Sequence, residues 1–264
     1  MGVTLEVCVD TAEGLAEAVA GGADRIELCA ALALGGLTPS AGLMALAAGC
    51  GVPVVAMIRP RAGDFVWSGQ EVAMMEAEIA AVRAAGLSGV VLGASLPDGR
   101  LDVPVLRRLV AAARGAEGGQ SLRGDRAGAF EGFEPDVSEI PGAFDLVLHR
   151  CIDLVPDMGQ ALEEAVALGF DRILTSGGEQ TAEAGAARIG ALLAQAAGRI
   201  TVMPGSGVSP GNVAMLKGLG ISDVHASCSS ATPVTGRVVD MGFAPQVRRQ
   251  TDADAVRALR KALE

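Results

Sequence analysis

Gly22-Ala-Asp-Arg-Ile-Glu-Leu-Cys-Ala-Ala-Leu-Ala-Leu-Gly-Gly-Leu-Thr-Pro-Ser40 holds the unit from which the chain is built. A glycine closes one helix, a short strand follows, and a glycine loop leads into the next helix. Within the strand Arg25, Glu27 and Cys29 alternate with Ile26 and Leu28. A period of two sends the polar set to one face and the apolar set to the other. A carboxylate and a thiol on one face at a strand end read either as a site or as a satisfied ion pair beside a small buried Cys.

Working outward, apolar runs of about six residues alternate with longer helical patterns. Strands are expected at about 3–9, 24–29, 53–59, 88–93, 144–149, 170–175, 199–204 and 221–227. Helices are expected at about 11–21, 39–50, 70–85, 104–114, 156–168, 179–197, 210–219 and 252–264. Strict alternation implies parallel strands joined by right-handed crossovers. Eight such units in 264 residues predict a single α/β domain, a (β/α)8 TIM-type barrel. Gly22-Ala-Asp-Arg-Ile-Glu-Leu, Gly86-Leu-Ser-Gly-Val-Val-Leu, Gly169-Phe-Asp-Arg-Ile-Leu-Thr and Gly220-Ile-Ser-Asp-Val-His-Ala repeat one helix-to-strand hinge before every second strand. Duplication of quarter units and convergent loop chemistry both explain the echo. The Gly-rich piece Gly115–Gly142 reads as a mobile surface insertion on the bottom face.

Composition narrows the function classes. The chain is 50% hydrophobic and 20% charged, with 31 acidic against 21 basic side chains and a formal net charge of −10. That balance argues against a nucleic-acid partner, and no run of apolar residues is long enough for a membrane span. Five scattered cysteines (Cys8, Cys29, Cys50, Cys151, Cys228) and an N-terminus without a basic segment read as reduced and cytoplasmic. The only lysines, Lys217 and Lys261, lie on no strand end, which excludes a Schiff-base aldolase.

The C-terminal strand ends and the loops after them carry the chemistry of such barrels. Those positions hold Glu6 and Cys8, Glu27 and Cys29, Arg59, Arg61 and Asp64, and His149, Arg150 and Asp153. They continue with Thr175, Ser176, Gly177 and Gly178, then Gly205, Ser206 and Gly207, then His225 and Ser227. Both histidines fall in this set. Glu27, Arg59, His149, Asp153 and His225 are the candidate acid–base and catalytic groups. Arg61, Asp64 and Arg150, with the turns Ser176-Gly177 and Gly205-Ser206-Gly207 and with Ser227, are candidates for holding a small anion. Each arginine of Arg59-Pro60-Arg61 alternatively neutralises Glu27 or Asp64. Glu6-Val-Cys8 recurs as Glu27-Leu-Cys29 on the next strand, about 4.8 Å away. If register sets the two thiols level, Cys8 and Cys29 hold Cu(I), which favours soft sulfur ligands; otherwise they fill the barrel as small apolar groups.

Gly22-Ala-Asp-Arg-Ile-Glu-Leu-Cys, Gly35-Gly-Leu-Thr-Pro-Ser, Ile58-Arg-Pro-Arg-Ala-Gly-Asp-Phe, Leu174-Thr-Ser-Gly-Gly, Gly205-Ser-Gly-Val, His149-Arg150 with Asp153, and His225-Ala-Ser resemble the CutC family from about residue 5 to 230. The resemblance implies a cytoplasmic TIM-type barrel, usually a homo-oligomer, named for copper homeostasis, with copper bound through cysteine in some members. The family's His-Arg-Ala-Phe-Asp reads His149-Arg-Cys-Ile-Asp153 here, which alters one wall of the site. Asp223 stands for the usual Glu, and Trp67 stands where Tyr is common. Two functions follow as expectations: Cu(I) binding through Cys8 and Cys29, or acid–base catalysis on a small anionic substrate such as a sugar or sugar phosphate. An inert scaffold would explain the fold but not the clustering.

Overall fold

The computed structural model describes residues 2–115 and 144–264. The expected insertion, apart from Gly115, lies outside the described residues. Eight parallel strands alternate with helices: β1 Thr4–Val9, β2 Arg25–Leu28, β3 Val54–Met57, β4 Gly89–Leu92, β5 Asp145–Leu148, β6 Arg172–Thr175, β7 Thr201–Pro204 and β8 Asp223–Ala226. They pair in the order β7-β6-β5-β4-β3-β2-β1-β8, and β7 packs beside β8 to complete a (β/α)8 barrel. The helices are α1 Ala12–Gly21, α2 Ala41–Ala47, α3 Gly69–Ala84, α4 Val103–Arg114, α5 Met158–Leu168, α6 Ala186–Ala196, α7 Val213–Lys217, α8 Arg237–Asp240 and α9 Ala253–Leu263. Among the described residues no helix is long and apolar enough to cross a membrane.

The period-two pattern divides two cores. Leu5, Val7, Ile26, Leu28, Ala56 and Leu148 belong to the large cluster that extends into the helices. Cys29, Val55, Met57, Val91, Leu174 and Met203 form a smaller cluster inside the barrel. The inward face of the first, second, sixth and eighth strands is largely polar, and its charges are paired with one another. Arg25 pairs with Glu6 at 2.5 Å and with Asp223 at 2.8 Å. Arg172 joins Asp223 to Asp145. The ion pair foreseen for β2 therefore exists, but its carboxylates are Glu6 and Asp223 rather than Glu27.

Helix ends follow their sequence signals. Gly22, Gly86, Gly169 and Gly220 all take positive φ, between +75° and +92°, where a side chain would be strained. α3 opens with a capping box, in which Ser68 accepts from the Glu71 N–H while Glu71 accepts from the Ser68 N–H. Replacing Ser68 with alanine is expected to cost about 1 kcal/mol, read as a lower urea midpoint at unchanged slope.

Three helices are clearly shorter than expected, and α2 covers only Ala41–Ala47. α6 starts at Ala186 because Gly177 and Gly178 turn the chain in the left-handed region before it. α7 spans only Val213–Lys217. The sequence reading places no element between 228 and 251. There a hairpin forms, with β9 Ser229–Pro233 antiparallel to β10 Val247–Thr251 and α8 at its tip. Ser-Ser-Ala-Thr-Pro carries no apolar alternation, so no buried face marks it as a strand. The tip exposes Val238, Met241 and Phe243, the last 80% accessible.

Candidate functional site

A cavity of about 750 Å³ opens at the C-terminal mouth of the barrel, a volume typical of small-molecule sites. Its floor is formed by Cys8, Glu27 and His225, and its walls include Arg59, His149 and Ser206.

Register decides what meets on the floor. The β1–β2 ladder sets Cys8 opposite Glu27 and Glu6 opposite Arg25, so Cys29 lies one pleat further along. The two thiols are not level, contrary to the condition set for a Cys8–Cys29 site. Instead Cys8 Sγ, a Glu27 carboxylate oxygen and a His225 ring nitrogen lie within 4.8 Å of one another, all buried. Cys29 is outside this cluster. Its thiol donates to Glu27 Oε2 at 3.5 Å, and burial, reinforced by the Glu27 charge, pushes its pKa up.

Glu6 positions His225. Its Oε1 lies 2.8 Å from Nδ1, while its Oε2 receives Arg25, and so His225 turns Nε2 toward Glu27, 3.8 Å away. Burial works against an ionised Glu6, but the hydrogen bond from His225 and the Arg25 guanidinium outweigh it and bring its pKa down to about 2. Burial raises the pKa of Glu27, whose Oε1 has no hydrogen-bond partner among the described residues. An ionised carboxylate and one pushed toward neutrality thus stand on either side of one imidazole.

The arginines part company. Arg59 is buried, and its guanidinium donates to the carbonyls of Leu34, Gly36 and Gly63, with no carboxylate partner among the described residues. Arg61 turns away from the cavity, pairs with Glu71 and Asp64 and lies over the Trp67 ring. Arg61 and the exposed Asp64 therefore form a surface pair and not an anion site in this cavity.

The glycine turn after β6 is an anion cradle that is already filled. Asp153 Oδ1 accepts from the N–H groups of Ser176 and Gly178 and from the Thr175 hydroxyl, while Oδ2 receives Arg150 at 2.7 Å. Asp153 and the Ser176-Gly177 turn, expected to work on substrate, are instead bound to one another. Arg150 still lines the cavity while tied to Asp153. The turn after β7 differs: Ser206 and Gly207 line the cavity, with φ of +77° and +70°. Gly205 stands behind them, where a Cβ would meet Leu174 Cδ1 at 2.6 Å. Ser227 lines the cavity beside Cys228, Ser229 and Arg249 of the hairpin, which the sequence reading did not single out.

His149 differs from the expected acid–base group. Its Nδ1 accepts the Cys151 N–H at 3.2 Å, and burial pushes its pKa down to about 3. Between pH 6.5, the ordinary histidine value, and 3, the unfolded chain binds a proton at this residue that the folded chain does not. Its contribution to stability therefore falls as pH drops through that window. Acid unfolding of His149→Gln is expected to show a shallower loss there than the parent.

The fold and the floor define a TIM-type barrel with a buried thiol–carboxylate–imidazole cluster beneath a small-molecule cavity. The chain belongs to the CutC family, whose model matches residues 3–118 and 135–230. A family protein CutC of Rhizobium meliloti (strain 1021) is 50% identical over 99% of this chain and 96% of its own length. One of Caulobacter vibrioides (strain NA1000 / CB15N) is 46% identical over 98% and 97%. The crystal structure of CutC from Streptococcus agalactiae, described as a copper homeostasis protein, shares 28% identity and a TM-score of 0.72 over 86% of this chain and 99% of its own. Thiamine phosphate pyrophosphorylase from Pyrococcus furiosus, at 15% identity and a TM-score of 0.53 over 99% of this chain and 95% of its own, shows the fold alone.

Proposed function

We propose that this is a metal-binding barrel serving copper homeostasis, the role given to the Streptococcus agalactiae relative, with the ion held on the cavity floor. The observation that carries this reading is the convergence of Cys8, Glu27 and His225 within 4.8 Å. The orphaned, buried Glu27 Oε1 fits a missing partner, and a carboxylate on the far nitrogen of a ligating histidine fixes that ring for a metal. Thiolate and imidazole suit Cu(I), so copper would sit on Cys8 and His225, whereas zinc would also engage Glu27. Cys29, a hydrogen-bonded thiol with a raised pKa, supports the pair less well than expected from sequence. All five cysteines are free, which supports a reducing, cytoplasmic setting. The exposed Val238, Met241 and Phe243 support a homo-oligomer. Elemental analysis of protein isolated under reducing, anaerobic conditions tests the metal reading. About one copper or zinc per chain is the expected result, and metal-free protein that takes up neither ion would overturn it.

A second reading is favoured by the cavity, which is far larger than one ion needs. Here Glu27 and His225 exchange a proton with a small anionic substrate near Arg59. Mass spectrometry of small molecules released from the purified protein tests it. A bound organic acid or sugar phosphate supports it, and an extract holding metal alone opposes it.

A further inference from the structure

Three residues that line the cavity each carry a buried polar atom with no hydrogen-bond partner among the described residues: Glu27 Oε1, Arg59 Nε and His149 Nε2. Buried polar groups are rarely left so, and an orphan on a residue that lines a cavity points to a partner supplied by a ligand. Two of the three must be donors. Arg59 Nε always carries a proton. The tautomer of His149 is fixed by the main chain, because the Cys151 N–H can only donate and Nδ1 must accept it. The single proton of the neutral ring then sits on Nε2. Both residues lie against the Phe65 ring: its centroid is 4.5 Å from that of His149 and 5.1 Å from Arg59 Cζ. Gly93 makes room for this arrangement, since a Cβ there would come within 2.5 Å of Cys151 Sγ and closer still to the His149 ring.

We propose that His149 Nε2–H and Arg59 Nε–H together receive the carboxylate of a small organic acid inside the cavity. The class follows from charge. Among the described residues the hydrogen-bond partners of buried Arg59 are backbone carbonyls and no carboxylate, so its positive charge has no counter-ion there of the kind that a ligand carboxylate supplies. His149 adds a neutral donor, and the lowered pKa keeps it neutral at working pH. This inference rests on the second reading above and makes it specific. His149 is a binding group, not an acid or base.

Histidine-labelled protein provides the test, with pyruvate as the carboxylate probe, dihydroxyacetone as a neutral ketone and inorganic phosphate as a different anion. Long-range nitrogen–proton spectra, assigned with His149→Gln, are expected to show the Nε2–H tautomer of His149 unchanged from pH 5 to 9. Pyruvate is expected to shift that resonance in a saturable way. Arg59→Met is expected to weaken pyruvate binding on the order of 10- to 100-fold. His149→Leu is expected to weaken it while His149→Gln, which keeps a side-chain N–H, retains most of it. An Nδ1–H tautomer, a preference for dihydroxyacetone or phosphate, or no response of His149 to pyruvate would each overturn the proposal. If pyruvate shifts His225 but not His149, the small-anion reading stands and this assignment falls. If no probe perturbs either histidine, both fall.

Discussion

Arg25→Met is expected to lower the free energy of unfolding by about 3–5 kcal/mol, the usual result of leaving buried charge unpaired. Arg25 is 5% exposed and holds Glu6, which is fully buried, and Asp223, which is 7% exposed. Methionine fills much of the volume, so the loss comes from the carboxylates rather than from a hole. Arg172 still reaches Asp223, but nothing replaces the bond from Arg25 Nε to Glu6. The double variant Arg25→Met, Glu6→Gln should recover part of the loss, and that non-additivity separates charge from packing. The contrast is Arg108→Ala on the surface pair with Glu76, expected to stay within about 1 kcal/mol. Urea unfolding of five proteins, the parent, Arg25→Met, Glu6→Gln, the double variant and Arg108→Ala, gives the answer, and a loss below about 1 kcal/mol for Arg25→Met would remove the network from the account of this fold.

The second large effect concerns the cavity floor. In a competition titration of the reduced protein with Cu(I), Cys8→Ser and His225→Ala are each expected to lower affinity by at least about 100-fold. The reason is that removing a group that only orients a ligand already costs about 10- to 100-fold. Glu6→Gln falls in that class, since it keeps the shape of Glu6 while weakening its hold on Nδ1. Cys29→Ser should change affinity by less than a few-fold, because its thiol lies outside the cluster and is committed to Glu27. The opposite ranking, with Cys29→Ser as damaging as Cys8→Ser, would restore the two-thiolate site.

Much of the fold was legible because two periodic signals agree. Parity along Arg25-Ile-Glu-Leu-Cys29 separates inward polar from outward apolar side chains, and the αL glycines at 22, 86, 169 and 220 mark the hinges between units. The site was legible as a neighbourhood, since Cys8, Glu27, Arg59, His149 and His225 do share one cavity. What parity does not encode is stagger. Sliding β2 by one pleat against β1 would set Cys29 opposite Cys8, and only the assembled ladder places Glu27 there. Nor does sequence tell which way a long side chain folds: Arg59 and Arg61 flank one proline, yet one is buried in the cavity wall and the other lies over Trp67. The hairpin escaped because neither of its strands buries a face.

The carboxylate of Asp153 in the turn after β6 is, in effect, a tethered competitor. Held by the chain against two N–H groups and a hydroxyl, it never diffuses away, and any other anion must displace it before using this turn. Of the two glycine turns, only the one after β7, whose Ser206 and Gly207 line the cavity, stays a candidate for a visiting anion. The fold has spent the other turn on a carboxylate of its own, so what Asp153 contributes is the shape of the cavity rim rather than a binding contact.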